Sequence, residues 1–372
     1  MNYIEQHSYL SNNFKLGYDL KSELTGVMIR FYSFFSTAFS GVEETLTDTF
    51  DKTINENLSF MYPVFTPKGV YRSSKAILLM HGLNERNWNK YLCWAEYLCE
   101  QTHKPVILFP IAFHMNRSPL SWSNPRDLQN IILKRKLEFE NDRTISFANV
   151  ALSERISEKP IRFYSSGRQS MYDLTLLFQE IKSGKHPLFK EDTQIDIFSY
   201  SIGSFLSQIT LMTNPENLFT NSKLYMFCGG SIFSSMFGES RSIMDKPAFN
   251  KMMSFYTHDF ESDKDKELIH DTGFESFSSM ISPERNEDRR IGFFKKMGNR
   301  IGGISLQKDI VIPYEGVKKA LGEQLTKLRV RNLDFEFAYT HEIPFPTNGK
   351  SNPAEINRAF NTVFADAAAF LA

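Results

Sequence analysis

The chain has 372 residues, 41% of them hydrophobic and 23% charged, with Lys+Arg and Asp+Glu both at 43. That length suffices for one large core or two domains, and the even balance leaves no net charge to draw the chain to nucleic acid or an anionic membrane. Cys93, Cys99 and Cys228 are an odd, sparse set, which argues against a disulfide framework and for a reducing compartment.

The first residues, Met-Asn-Tyr-Ile-Glu-Gln-His, lack a basic region followed by an apolar run, so no signal peptide is expected. No apolar stretch approaches the roughly 18 residues of a spanning helix. A cytoplasmic location without a membrane span is the expectation. Thirty-four phenylalanines are many, and they suit large core contacts or an apolar cleft.

Residues 1–55 are expected to form an N-terminal extension with one helix, because Phe31, Phe34, Phe35, Phe39 and Val42 recur at mixed spacing before a charged run at 43–51. Residues 58–71 alternate like one or two edge strands. The run 76–80 (Ala-Ile-Leu-Leu-Met) is continuously apolar, as in a strand buried on both faces, and it ends in His81-Gly82-Leu83-Asn84. A helix over 88–102 and a strand over 105–110 follow, an order that signals a parallel unit. Residues 115–165 change character: 128–139 looks helical, Lys134-Arg135-Lys136 is a basic cluster, and the stretch reads as an insertion. A strong amphipathic helix covers 171–181.

Residues 194–212 are the centre of the chain. Ile195, Ile197 and Phe198 make a buried strand, and Phe205, Leu206, Ile209 and Met212 recur at helical spacing until Asn214-Pro215. Ser199-Tyr200-Ser201-Ile202-Gly203 lies between them, with Ser201 at the apex. A strand follows at 223–230. Residues 233–298 then read as a second insertion with several helices, whose charged runs at 261–267 and 284–290 are taken as solvated faces. The core resumes with a strand at 300–306, a loop at 307–314, a helix at 315–328, a one-faced strand at 333–339 and a helix at 357–371.

Ser199-Tyr200-Ser201-Ile202-Gly203 resembles the Gly-x-Ser-x-Gly nucleophile elbow of the α/β-hydrolases, with Ser199 in place of the first glycine. Gly203 keeps the small residue needed after the serine. A nucleophilic serine needs a base, an acid to orient that base, and amide donors for the developing oxyanion. Lys308-Asp309-Ile310-Val311-Ile312-Pro313 after a strand resembles the family's acid loop, and His341 follows the last predicted strand where the family places its base. Glu315, Glu336 and Glu342 remain open as alternative acids. His81-Gly82 resembles the family's His-Gly motif, in which the amides of Leu83 and Ile202 would form the oxyanion hole.

The resemblance implies an α/β-hydrolase fold: a mostly parallel central sheet with helices on both faces and two helical cap insertions, at 115–165 and 233–298, within a domain spanning 56–372. It implies Ser201, Asp309 and His341 as a catalytic triad for an ester-like acyl bond, with no cofactor and no metal. The absence of His-Glu-x-x-His, Cys-x-x-Cys and Gly-x-x-x-x-Gly-Lys agrees with that. Phe113, Phe233, Met236, Phe237, Met252, Met253 and Phe255 in the insertions suggest an uncharged, apolar small-molecule substrate. A peptidase or thioesterase on the same residues, or a hydrolase-fold binding module, are the other readings.

Overall fold

The computed structural model describes residues 2–37, 51–260 and 271–372. Phe39, Val42, residues 43–50 and the charged run at 261–267 lie outside them. The strands are β1 (Leu20–Lys21), β2 (Met28–Phe35), β3 (Ser59–Thr66), β4 (Ser73–Met80), β5 (Val106–Leu108), β6 (Phe189–Tyr200), β7 (Leu224–Phe227), β8 (Ile301–Leu306) and β9 (Val330–Leu333). They make one sheet in the order β1-β2-β3-β5-β4-β6-β7-β8-β9. From β5 to β9 every neighbouring pair is parallel. The first three strands add antiparallel pairs at one edge.

Apolar runs in the middle of the sheet are buried on both faces, as parallel strands between helical layers must be. In β4, Ala76, Leu78 and Met80 enter one core and Ile77 and Leu79 the other, which is the period-two pleat acting on an unbroken apolar run. On the second of these faces lie α1 (Tyr3–Asn13), α3 (Asn89–Thr102) and α13 (Pro353–Leu371), and the short α2 (Asn55–Leu58) leads into β3. The opposite face carries α6 (Arg162–Lys182) and α7 (Ile202–Thr213). This is the α/β-hydrolase fold expected from the sequence.

Two helical segments interrupt it. α4 (Pro125–Glu138) and α5 (Val150–Glu158) lie between β5 and α6, and α8 (Lys246–Ser254), α9 (Thr272–Ser279) and α10 (Glu287–Met297) lie between β7 and β8. α5 packs on α8, and the Arg135 guanidinium forks onto the Asp245 carboxylate at 2.9 and 2.7 Å. The middle of the expected basic cluster is thus a buried ion pair, while its neighbour Lys134 is exposed beside Glu154. Arg290 likewise departs from the expected solvated face. It is fully buried and donates to the carbonyls of Ser279, Pro283 and Arg285.

Three other expectations change. Residues 1–55 supply β1 and β2 to the sheet as well as α1, and the Phe31–Phe34 region is strand, not helix. The expected helix at 315–328 divides into α11 (Tyr314–Leu321) and α12 (Glu323–Arg329), because Gly322 between them has φ 86°. The expected strand at 333–339 overlaps β9 only at Leu333. Phe335, Phe337 and Tyr339 are still buried alternately, so the facing pattern exists without a ladder. Among the described residues no helix is long and apolar enough to cross a membrane, and no group of three or more His, Cys, Asp and Glu could hold a metal ion.

Candidate active site

Parallel strands deliver their carboxyl ends, and the loops after them, to one edge of the sheet. β4 ends there at Met80, β6 at Tyr200, β7 at Phe227 and β8 at Leu306. Ser201 follows β6 as the cap of α7, with φ 55° and ψ −126°. A non-glycine residue at such φ is strained, and surrounding contacts hold it. A Cβ on Gly203 would lie 2.6 Å from the His81 carbonyl oxygen, and one on Gly229 would lie 2.0 Å from Ser204 Oγ. Both glycines let neighbouring loops close onto the turn. Ser199 has room for its hydroxyl, which donates to the Tyr225 carbonyl at 3.2 Å and meets Ser204 Oγ at 2.9 Å.

Asp309 lies in the loop after β8. Its Oδ1 accepts the N–H groups of Val311 and Ile312, both at 2.9 Å, which fixes the carboxylate and leaves Oδ2 for His341 Nδ1 at 2.8 Å. His341 Nε2 then stands 2.7 Å from Ser201 Oγ. All three residues are buried, at 4 to 5% exposure. With Nδ1–H given to the carboxylate, Nε2 is the nitrogen free to accept the serine proton. The alternative acids are elsewhere: Glu315 pairs with Lys318 at the surface, Glu336 is exposed, and the Glu342 side chain is engaged by Ser240.

His81 and Gly82 shape the strand end beside the serine. His81 Nε2 accepts the Ile111 N–H at 2.9 Å, so its proton is on Nδ1, directed to the Gly82 carbonyl at 2.8 Å. Complete burial, then the nearby His114, hold His81 well below the usual histidine range. The Gly82 N–H donates to the Tyr91 hydroxyl at 2.9 Å. The next amide, Leu83, has no acceptor among the described residues, and neither has that of Ile202.

Leu83, Ser201 and Ile202 line one cavity with Phe163, Phe233, Phe249, Met252 and Met253. A second apolar lobe, walled by Met171, Phe205, Ile209 and Phe277, shares Leu83, Phe163 and Ile202 with it. Of the apolar residues noted in the sequence, Phe233, Met236, Met252 and Met253 therefore face this space, and Phe113 lies in a third, more polar lobe.

Two site residues were not singled out from the sequence. Tyr200, inside the elbow pentapeptide, donates its hydroxyl to the His341 carbonyl and stacks on the His341 ring at 5.3 Å. Cys228, with φ 46°, lies against Asp309; burial, then that carboxylate, hold its thiol well above the usual range. For Tyr200 the signal was an aromatic next to the apex. For Cys228 it was a position at the end of a strand.

A family model described as a family of unknown function (DUF6051) matches residues 36–372. No curated protein matches the chain by sequence. Among solved structures, carboxyl esterase 2 from the mycorrhizal fungus Tuber melanosporum is similar at 11% identity and TM-score 0.49, over 98% of this chain and 96% of that one. An esterase from the hyperthermophilic archaeon Pyrobaculum calidifontis is similar at 9% identity and TM-score 0.41, over 99% and 88%. The Francisella virulence factor BioJ is similar at 12% identity and TM-score 0.44, over 100% and 92%.

Proposed function

The chain belongs to DUF6051, a family of unknown function, and for it we propose acyl transfer to water with Ser201 as nucleophile. The observation that carries this reading is the continuous hydrogen-bonded chain from Ser201 Oγ through His341 to Asp309 at 2.7 and 2.8 Å. His341 Nε2 takes the Ser201 proton as Oγ attacks an ester-like carbonyl, and the imidazolium that forms is stabilised by Asp309. The unclaimed amides of Leu83 and Ile202 donate to the carbonyl oxygen as it becomes an oxyanion, where prepositioned donors lower the barrier most. Protonated His341 then gives its proton to the leaving group. Water, deprotonated by the same nitrogen, attacks the acyl-enzyme and releases the acid.

The helical segments after β5 and β7 act in this reading as caps that bound the acyl pocket, and the apolar wall around Ser201 favours an apolar acyl group. A fluorophosphonate is the direct test. It should add one adduct, on the Ser201 peptide, and Ser201→Ala and His341→Ala should abolish labelling and lower ester hydrolysis at least about 10³-fold. Labelling that survives His341→Ala would refute the base assignment. A series of p-nitrophenyl esters of increasing acyl length should show rising kcat/KM until the lobe is full, and a flat series would remove the apolar pocket from the reading.

A further inference from the structure

The third lobe of the cavity meets the two apolar lobes at Leu83 and Phe163, and its chemistry is different. Arg86, Arg155 and Arg162 line it, with Glu85 as its one carboxylate. Most of that charge is already matched. Asp51 accepts from Arg155 at 2.8 Å and from Arg162 at 2.9 Å, and Arg162 also reaches Glu158. Glu85 is taken by Lys90 and by the Tyr91 hydroxyl.

Arg86 is left over. Its Nη2 donates to the Ala148 carbonyl at 2.6 Å, and among the described residues no carboxylate lies within ion-pair distance of it. Burial draws its pKa below the ordinary arginine value. A partly exposed guanidinium whose protein contact is a neutral carbonyl is a cation without a charged partner, and it stands three residues beyond the Leu83 amide on the wall of the lobe. An anion entering the lobe supplies the missing partner. One unmatched cation suits one negative charge better than the two of a phosphate monoester, and the planar fork of arginine fits the two oxygens of a carboxylate. Trp122, with Arg155 stacked at 4.2 Å, and Leu152 give an apolar wall beside it.

Resting on the reading of Ser201 as acyl-transfer nucleophile, we propose that this lobe is a subsite for a carboxylate carried by the substrate away from the scissile carbonyl, with the Arg86 guanidinium as its partner. The substrate class is thus a singly charged ester, apolar next to the reacting bond and anionic at one end. This departs from the sequence-only expectation of a substrate uncharged throughout.

Two matched arms test it on the full chain, one for each side of the bond. The first compares p-nitrophenyl esters of straight-chain acids ending in a carboxylate with those ending in the carboxamide. The second compares butyrate esters of a hydroxyphenyl-alkanoic acid with those of its amide. In one arm the wild-type protein should favour the carboxylate about tenfold or more in kcat/KM, and the preference should shrink as salt is added. Arg86→Gln should remove that preference while the amide is hydrolysed within about twofold of wild type, which also shows that the variant is folded, and Arg86→Lys should keep part of it. No preference in either arm, a preference that persists in Arg86→Gln, or equal losses on both members of a pair would each overturn the subsite. Fluorophosphonate labelling of Ser201 separates the two levels: with labelling intact the subsite alone falls, and without it the acyl-transfer reading falls as well.

Discussion

A base must be held where its nucleophile is, and the His341 ring hangs from a loop with no ladder of its own. Tyr200 supplies a second point of attachment: its hydroxyl donates to the His341 backbone carbonyl, and its ring lies 5.3 Å from the imidazole at 15°. Because Tyr200 immediately precedes Ser201, one strand end fixes both the proposed nucleophile and the proposed base. Tyr200→Phe should keep the ring and lose the bond, leaving a buried carbonyl without a donor at about 1–3 kcal/mol. The expected result is a fall in kcat of roughly tenfold with KM within about twofold, checked by steady-state kinetics on an ester. A KM effect alone would mean that Tyr200 shapes the pocket and not the base. The sequence displayed Ser201, Asp309 and His341 because each sits in a local pattern, a small-residue turn or a strand-ending loop. It did not display Tyr200, whose partner is 141 positions away and leaves no trace in neighbouring residues.

Among the elements, the helical segments after β5 and β7 meet at a buried ion pair. Arg135 on α4 forks onto Asp245, which also caps α8 by accepting the Ala248 N–H at 3.0 Å, while the Asp245 N–H donates to Ser153 of α5 at 2.9 Å. Arg135→Ala leaves that carboxylate buried and unmatched, so a loss of about 3–5 kcal/mol is expected in denaturant unfolding. A loss below about 1 kcal/mol would show that the helices hold together without it. Since α8 contributes Phe249, Met252 and Met253 to the wall around Ser201, the same variant should flatten the acyl-length profile. Elements were legible where the pattern is local and strong, as in β4, α3 and α7. The strand at Met28–Phe35 was not, because it is antiparallel near an edge and buries only Ile29 and Phe34, so that its aromatics carry no clean period. At Phe335, Phe337 and Tyr339 the alternation told which side chains face inward, but the pleated face and the hydrogen-bonded ladder are separable, and only pairing partners decide the second.

Over the whole molecule, the buried histidines set how stability follows pH. Burial holds His114 at about 4 and His186 at about 4, against an unfolded value near 6.5. Between those pH values the unfolded chain binds more protons than the folded one, so stability is fully present above about 6.5 and is lost as pH falls towards 4. His186 makes the clearer case. Its Nδ1 accepts the Leu188 N–H at 3.2 Å, its Nε2 meets the Tyr62 hydroxyl at 3.1 Å, and the rings of Tyr32 and Phe189 lie against it, so the neutral ring is bonded at both nitrogens and a protonated one must give up the Leu188 bond. Buried carboxyls raised by desolvation, Glu96 and Asp173, act in the opposite sense and flatten the total, which is why a difference measurement isolates the histidine. His186→Gln should lower stability at pH 7, yet its deficit relative to wild type should narrow as pH falls from about 6.5 to 4, by at most about 1.4 kcal/mol per pH unit. Guanidinium unfolding of both proteins across that range reads this directly. A deficit constant with pH would mean that His186 carries the same charge in the folded and unfolded chain, and burial would no longer account for the slope.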